Sequence, residues 1–149
     1  SFAVYTLDVD HFNHINDTYG HLYGNHVLET VADHLTEALG AVGYPNALYR
    51  TGGEEFSIIL HDIKDSLKEA ERITRQLLKS LSLLRFTSPA GEFHVTVSIG
   101  EDLVLPSDEN FLDVYERADQ YLYQSKHNGR NAITLRGKTL TRTKHDECS

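Results

Sequence analysis

Two adjacent glycines followed by two adjacent glutamates lie in the middle of the chain, at Gly52-Gly53-Glu54-Glu55. Mostly apolar runs flank this segment at 47–49 and 56–60. This pattern predicts a tight β-hairpin, because glycine readily adopts the positive φ angles that a hairpin tip requires. The rest of the chain must therefore supply elements that pack against this hairpin.

The two glutamates at the predicted tip allow two interpretations. Gly and Glu are both ordinary turn residues, so the tip would simply be a solvated rim. Alternatively, paired carboxylates beside exposed backbone N–H groups suit a metal ion that is bound to phosphate. A second cluster of acidic residues is needed to decide between them.

A second acidic cluster ends the first predicted strand. Residues 2–9 are nearly continuous in apolar and β-branched side chains, which predicts a strand buried on both faces. Asp8 and Asp10 then fall on the same side of the extended chain, unless the chain turns between them. We interpret Asp10 as the N-cap of the next helix, whereas Asp8 has no such structural role.

Helical periodicity and turn signals alternate along the rest of the chain. They predict a short helix ending at Gly20, helices over 22–39, from Ser66 and over 110–127, a second hairpin pairing 84–88 with 93–100, a last strand near 132–135, and a loose polar tail from Gly137. The element order β-α-α-β-β-α-β-β-α-β predicts an α+β sandwich, with helices packed against a largely antiparallel sheet.

Composition limits the number of domains and the classes of partner. The chain has 149 residues, of which 40% are hydrophobic, and this fits one domain over 1–136 followed by a tail over 137–149. A net charge of −8 does not favour general attraction to nucleic acid or to a membrane. The single cysteine, Cys148, and the lack of a long apolar run predict a cytoplasmic domain, although a parent chain could be anchored elsewhere.

Two cations follow the last predicted helix, on either side of the Gly129 turn. Lys126 and Arg130 are spaced to bind a polyphosphate, although cations at a helix C-terminus also stabilise the helix dipole. If the first strand and the hairpin tip are neighbours, Asp8, Glu54 and the Val9 carbonyl form an oxygen-only site. Such a site suits Mg²⁺ or Mn²⁺, and a nucleotide is then the expected substrate.

Several short blocks occur in a fixed order along residues 3–133. They are Asp8-Val9-Asp10-His11-Phe12, Asn16-Asp17, Gly20-His21, Gly52-Gly53-Glu54-Glu55-Phe56, Val97-Ser98-Ile99-Gly100, Ala118-Asp119 and 126–131. Taken together, these blocks resemble the catalytic domain of the GGDEF family, the diguanylate cyclases. The resemblance implies a fold similar to the palm of nucleotide cyclases, which agrees with the α+β prediction.

The resemblance also implies an activity and a role for each matching residue. Two GTP molecules would be condensed to cyclic di-GMP and pyrophosphate by a homodimer, since each domain would hold one GTP. The implied metal ligands are Asp8, the Val9 carbonyl and Glu54. The implied catalytic residues are Glu54 as proton acceptor, Glu55 as its neighbouring candidate, and Lys126. The implied substrate contacts are Asn16 and Asn25 at guanine, His21 at the substrate site, and Lys126 and Arg130 at the phosphates.

Four departures from the family pattern affect these expectations. Asn13 stands where the family usually has Lys, and the loss of this cation would weaken GTP binding by about 1.5 to 3 kcal/mol. Asn25 stands in place of an Asp, which predicts relaxed purine choice. The segment 43–46 lacks the Arg-x-x-Asp feedback motif, so product inhibition there is not expected. The segment that usually precedes the first strand is absent from this sequence; in the family it joins an upstream sensory or dimerisation domain, which a parent chain is expected to carry.

These departures leave two functional hypotheses. In the first, the chain is an active diguanylate cyclase, because Asp8, Glu54, Glu55, Lys126 and Arg130 all match. In the second, it is a degenerate GGDEF domain that binds GTP or a partner as a regulatory module without turnover. Turnover distinguishes the two hypotheses.

Overall fold

A computed structural model of the protein describes residues 1–64, 66–81 and 84–141, apart from the side chain of Ser66. Eight strands and four helices occur within these residues. In chain order they are β1 (Phe2–Val9), α1 (Phe12–Tyr19), α2 (His21–Gly40), β2 (Asn46–Arg50), β3 (Glu55–His61), α3 (Ser66–Leu81), β4 (Arg85–Ser88), β5 (Gly91–His94), β6 (Val97–Leu103), α4 (Phe111–His127), β7 (Ala132–Leu135) and β8 (Lys138–Thr141).

Six of the strands form one central sheet in the order β2-β3-β1-β6-β7-β8. Every neighbouring pair is antiparallel except β6 and β7, which run parallel. The strands β4 and β5 form a separate two-stranded sheet. The predicted α+β fold with a largely antiparallel sheet is confirmed.

The two faces of β1 are buried against different helices, which explains why this strand is apolar almost throughout. Tyr5 and Leu7 are fully buried in the large core that also contains the apolar residues of α1, α2 and α3. Val4 points to the other face and packs with Val114 and Ala118 of α4. Side chains alternate across a strand, so a centrally placed strand needs apolar residues in both registers.

Gly100 in β6 lets α4 approach the sheet at backbone distance. A Cβ atom at this position would lie 1.9 Å from the Ala118 carbonyl oxygen and 2.1 Å from the Leu122 nitrogen. A hydrogen bond at the preceding residue of β6 holds the same helix: Ser125 Oγ donates to the Ile99 carbonyl at 2.7 Å. The end of α4, which carries Lys126, is thus held directly against β6.

Two predicted elements differ from the structure. The second hairpin is split, because only Arg85–Ser88 and Gly91–His94 pair with each other, while Val97–Leu103 joins the central sheet beside β1. The loose tail predicted from Gly137 is wrong for Lys138–Thr141, which forms an edge strand against β7. The remaining residues, 142–149, lie outside the described part of the chain. Within that part, no helix is both long and apolar enough to cross a membrane.

Glu101 is a fully buried carboxyl group in the core. It lies opposite Tyr5 in the β1–β6 register and is hydrogen-bonded to Thr74 Oγ1. The Thr74 hydroxyl group, which donates to Glu101, also lies 2.7 Å from the Ala70 carbonyl oxygen. Burial, opposed by hydrogen bonds from Thr74 and Tyr5 and assisted by nearby Asp102, raises the pKa of Glu101 to about 8.

We expect Gly100→Ala to lower the free energy of unfolding by about 1 to 3 kcal/mol, since the added methyl group meets backbone atoms that cannot rotate away. Urea denaturation of both proteins measures the change. Gly40→Ala is the matched control, because a Cβ atom at Gly40 meets nothing within 4 Å and the residue ends α2. Equal stability of the Gly100→Ala variant and the wild type would contradict the close packing of α4.

The raised pKa of Glu101 predicts a specific pH dependence. The folded protein retains a proton at Glu101 that the unfolded chain loses above its ordinary pKa of 4.5. The stability contributed by this group is therefore complete below that pH and is lost as the pH rises to about 8. Glu101→Gln keeps a neutral hydrogen-bond donor, so its stability relative to the wild type should rise over the same range. Denaturation at several pH values tests this, and exposed Glu37→Gln should show no such rise.

Candidate active site

The end of β1 lies against the tip of the first hairpin. Asp8 is opposite Glu55 in the β1–β3 register, and the Val9 N–H donates to the Glu54 carbonyl at 3.4 Å. The tip itself is stabilised by Arg50, whose Nε and Nη2 donate to the Gly53 carbonyl at 3.1 and 2.8 Å. The predicted proximity of Asp8 to the two glutamates is confirmed.

Asp8 is a nearly buried carboxylate with one paired and one unpaired oxygen. Only 7% of the residue is exposed. Its Oδ2 accepts a hydrogen bond from Lys126 Nζ at the end of α4, which makes an ion pair across the site. Its Oδ1 is buried and has no hydrogen-bond partner among the described residues. A buried acceptor without a donor is destabilising, so this oxygen is suited to a ligand.

A cleft of about 310 Å³ opens at this position. Three carboxylates, Asp8, Asp10 and Glu54, share it with two cations, Lys126 and Arg130. The remaining lining residues are Val9, His11, Phe12, Asn13 and His14. The structure thus brings together all of the predicted metal ligands and both predicted phosphate contacts. Among the described residues, no three His, Cys, Asp or Glu side chains form a ready metal-binding cluster.

Glu55 lies beside the cleft and does not line it. Its side chain folds back over the hairpin tip, where a Cβ atom at Gly52 would lie 3.2 Å from Glu55 Oε2. Burial, the negative charges of Asp8 and Asp119 and, more weakly, that of Glu54 raise the pKa of Glu55, while Lys126 lowers it. Glu55 therefore holds a proton more readily than an ordinary glutamate.

The other predicted substrate contacts lie around the junction of α1 and α2, outside the lining of the cleft. Asn16 Oδ1 is buried without a hydrogen-bond partner and rests over Gly24, where a Cβ atom would approach it to 1.9 Å. Asn25, next to Gly24, is exposed, and so is His21 at the start of α2. Gly24 thus makes room for the Asn16 amide next to Asn25.

The prediction that Asp10 caps α1 is wrong. The N-cap is His11, with φ of 56° and no side-chain cap. The Asp10 carboxylate accepts hydrogen bonds from Thr96, Ser98 and the Asn131 N–H instead. These three donors, all remote in sequence, satisfy the carboxylate, so it does not turn back to the helix.

The sequence analysis did not predict His11, Phe12 and His14 as site residues, although all three line the cleft. They belong to the turn and the first helical turn that directly follow Asp8 and Asp10. These three residues directly follow the acidic end of β1, and this position in the sequence could have identified them as site residues.

Known proteins resemble this chain in both sequence and structure. A family described as "Diguanylate cyclase, GGDEF domain" matches residues 1–132. The chain belongs to the GGDEF family. Diguanylate cyclase A of Treponema denticola is 34% identical over 140 residues, which cover 94% of this chain and 36% of that relative. The chain thus spans about a third of the length of that relative.

Solved structures agree with the family assignment. The diguanylate cyclase SiaD of Pseudomonas aeruginosa, solved in complex with its activator SiaC, matches with a TM-score of 0.80 and 28% identity over 91% of this chain and 50% of that chain. The GGDEF domain of DgcB from Caulobacter crescentus, solved in complex with c-di-GMP, matches with a TM-score of 0.77 and 30% identity over 90% of this chain and 77% of that chain. The GGDEF fold of this chain therefore occurs in enzymes of cyclic di-GMP signalling.

Proposed function

We propose that this GGDEF domain is a diguanylate cyclase that condenses two GTP molecules to cyclic di-GMP and pyrophosphate, as a homodimer and with Mg²⁺. The observation that carries the proposal is the cleft itself. Asp8, whose Oδ1 is unpaired among the described residues, and Glu54 line the same opening as Lys126 and Arg130. Such an arrangement binds a divalent cation together with a polyphosphate.

The residues present fit a hard divalent cation. Asp8, Glu54 and the Val9 carbonyl offer only oxygen, and Mg²⁺ is usually held by one or two carboxylates plus phosphate and water. A separate three-carboxylate cluster is not required for such a site. When bound, the metal ion would offset phosphate charge and favour loss of the proton from the attacking hydroxyl group.

Lys126 would have two successive partners in this site. It is ion-paired with Asp8, and it also lines the cleft beside Arg130. Once another cation neutralises Asp8, the Lys126 ammonium group can turn to a phosphate oxygen. Arg130 adds a planar guanidinium group that binds phosphate through two parallel hydrogen bonds.

The reaction would be an in-line attack by the 3′-hydroxyl oxygen of one GTP on the α-phosphorus of the other. The P–O bond to pyrophosphate breaks as the new P–O bond forms, and Glu54 accepts the hydroxyl proton. Glu55, whose pKa is raised beside Asp8, is the neighbouring candidate for handling that proton. Asn16, His21 and Asn25 would contact the nucleotide at the α1–α2 junction.

Two copies of the domain would have to meet, because each cleft presents one set of phosphate-binding cations. Two facing copies place two GTP molecules against each other, and the same attack occurring twice closes the ring. We also propose that the domain works in the cytoplasm and is controlled by an upstream sensory or dimerisation domain. The greater length of the curated relatives supports such an upstream domain. The domain of this chain extends past the expected boundary at residue 136, because Lys138–Thr141 belongs to the central sheet.

The decisive test incubates the purified chain at high concentration with GTP and Mg²⁺ and follows cyclic di-GMP by chromatography. We expect product from the wild type, and Glu54→Ala should lose at least about 100-fold in rate, because a cleft carboxylate is removed. Exposed Glu37→Ala on α2 is the matched control and should retain activity. GTP binding without product, at concentrations where the chain is dimeric, would support the regulatory hypothesis instead.

The base-binding region generates a second prediction. Asparagine at position 25 offers one acceptor and one donor, whereas aspartate offers only acceptors to guanine N1–H and N2–H. We expect the wild type to use both GTP and ATP, and Asn25→Asp to shift its preference toward GTP by about tenfold. Competition between the two nucleotides measures the preference. Rejection of ATP by the wild type as strong as that by the variant would contradict relaxed purine choice.

A further inference from the structure

Asp10 joins three chain segments next to the cleft. Its carboxylate is buried, with 6% of the residue exposed. Oδ1 accepts from Ser98 Oγ at 2.6 Å, and Oδ2 accepts from Thr96 Oγ1 at 2.7 Å and from the Asn131 N–H at 3.0 Å. The Asp10 N–H donates in turn to the Thr96 carbonyl at 2.9 Å. Asp10 thereby links the end of β1, the start of β6 and the turn between α4 and β7.

The turn that Asp10 contacts has a strained backbone. Gly129, Arg130 and Asn131 have φ angles of 104°, 63° and 49°, so three consecutive residues are left-handed. This conformation is costly for residues other than glycine and persists only where neighbouring contacts hold it. Two hydrogen bonds do so here. The Arg130 N–H donates to the Ser125 carbonyl at 3.0 Å, and the Asn131 N–H donates to Asp10.

The position of Arg130 depends on this turn. Arg130 lines the cleft, and its backbone lies between the anchor at Ser125 and the anchor at Asp10. The Asp10 anchor is a bond from an N–H group to a carboxylate, and such charge-assisted bonds are stronger than neutral ones. Loss of the Asp10 carboxylate would therefore let the turn relax and carry Arg130 away from the cleft.

We propose that Asp10 is a positioning residue for phosphate binding and acts through Asn131 on Arg130. The inference rests on the proposed function, in which Arg130 binds the phosphates of GTP. Three donors already use the two oxygens of Asp10, so its role is distinct from that of Asp8, whose Oδ1 has no partner among the described residues. The Ser98 and Thr96 hydroxyl groups hold the Asp10 carboxylate in place, so that it can accept the hydrogen bond from the Asn131 N–H.

The test measures GTP binding by calorimetry with Mg²⁺ present, for the whole chain and for a double-mutant cycle of Asp10→Ala and Arg130→Ala. We expect Asp10→Ala to raise the Kd for GTP by about tenfold in the wild-type background and to have no further effect when Arg130 is absent. Asp10→Asn should restore part of the affinity, because its amide oxygen can still accept from the Asn131 N–H. Exposed Asp33→Ala, which removes the same charge from α2, should leave the Kd unchanged.

Several outcomes would overturn the proposal. An equal loss of GTP binding in both backgrounds would show that Asp10 does not act through Arg130. A weakened apparent affinity for Mg²⁺, with the GTP affinity at saturating metal unchanged, would make Asp10 a metal ligand instead. If Asp10→Ala does not fold, Asp10→Asn and Ser98→Ala each replace it in the double-mutant cycle with Arg130→Ala. A wild-type chain that binds no GTP would overturn the proposed function and this inference with it, whereas a wild type that binds GTP as tightly as the Asp10 variants would overturn the inference alone.

Discussion

The double pairing of β1, with β3 on one side and β6 on the other, determines where the polar residues of the cleft lie. The register sets Asp8 opposite Glu55 on one neighbour and opposite Ser98 on the other. A shift by one residue would turn Asp8 to the face of the large core and place an apolar neighbour on the face that Asp8 now occupies. Because both faces of β1 are buried, such a shift would be strongly destabilising. The packing of the core around β1 thus fixes the register that places Asp8 in the cleft.

The cations reach these carboxylates through helix packing and not through strand pairing. Gly100 allows the backbone of α4 to touch β6, and Ser125 binds the Ile99 carbonyl one residue earlier in the same strand. Lys126 directly follows Ser125, which anchors the helix to β6. The position of its ammonium group next to Asp8 therefore depends on this anchor. Carboxylates and cations therefore depend on the same two central strands, and a defect in the packing of α4 would separate them.

Features set by local sequence could be predicted, and features set by remote partners could not. The first hairpin, the apolar β1 and the four helices each follow from patterns within a few residues. Asp10 was misassigned because its side-chain partners lie 86, 88 and 121 residues away, while a helix start lay close by. The edge strand Lys138–Thr141 is short and polar, and only its pairing with β7 makes it a strand. The burial of Glu101 likewise depends on remote residues, since its neighbours Thr74 and Tyr5 are connected to it by no local pattern.

In the proposed function, the charge of the cleft would make metal binding and phosphate binding depend on each other. The chain carries a net charge of −8, and three carboxylates face two cations in the cleft itself. Lys126 is engaged by Asp8, so a polyphosphate that arrived without a divalent cation would meet the uncompensated charge of Glu54. In the proposed function, a cation at Asp8 and Glu54 would remove that repulsion and release Lys126, and by linkage a bound polyphosphate would strengthen the binding of that cation equally. If the proposed function holds, the ion pair between Asp8 and Lys126 is the arrangement of the site before metal and polyphosphate bind.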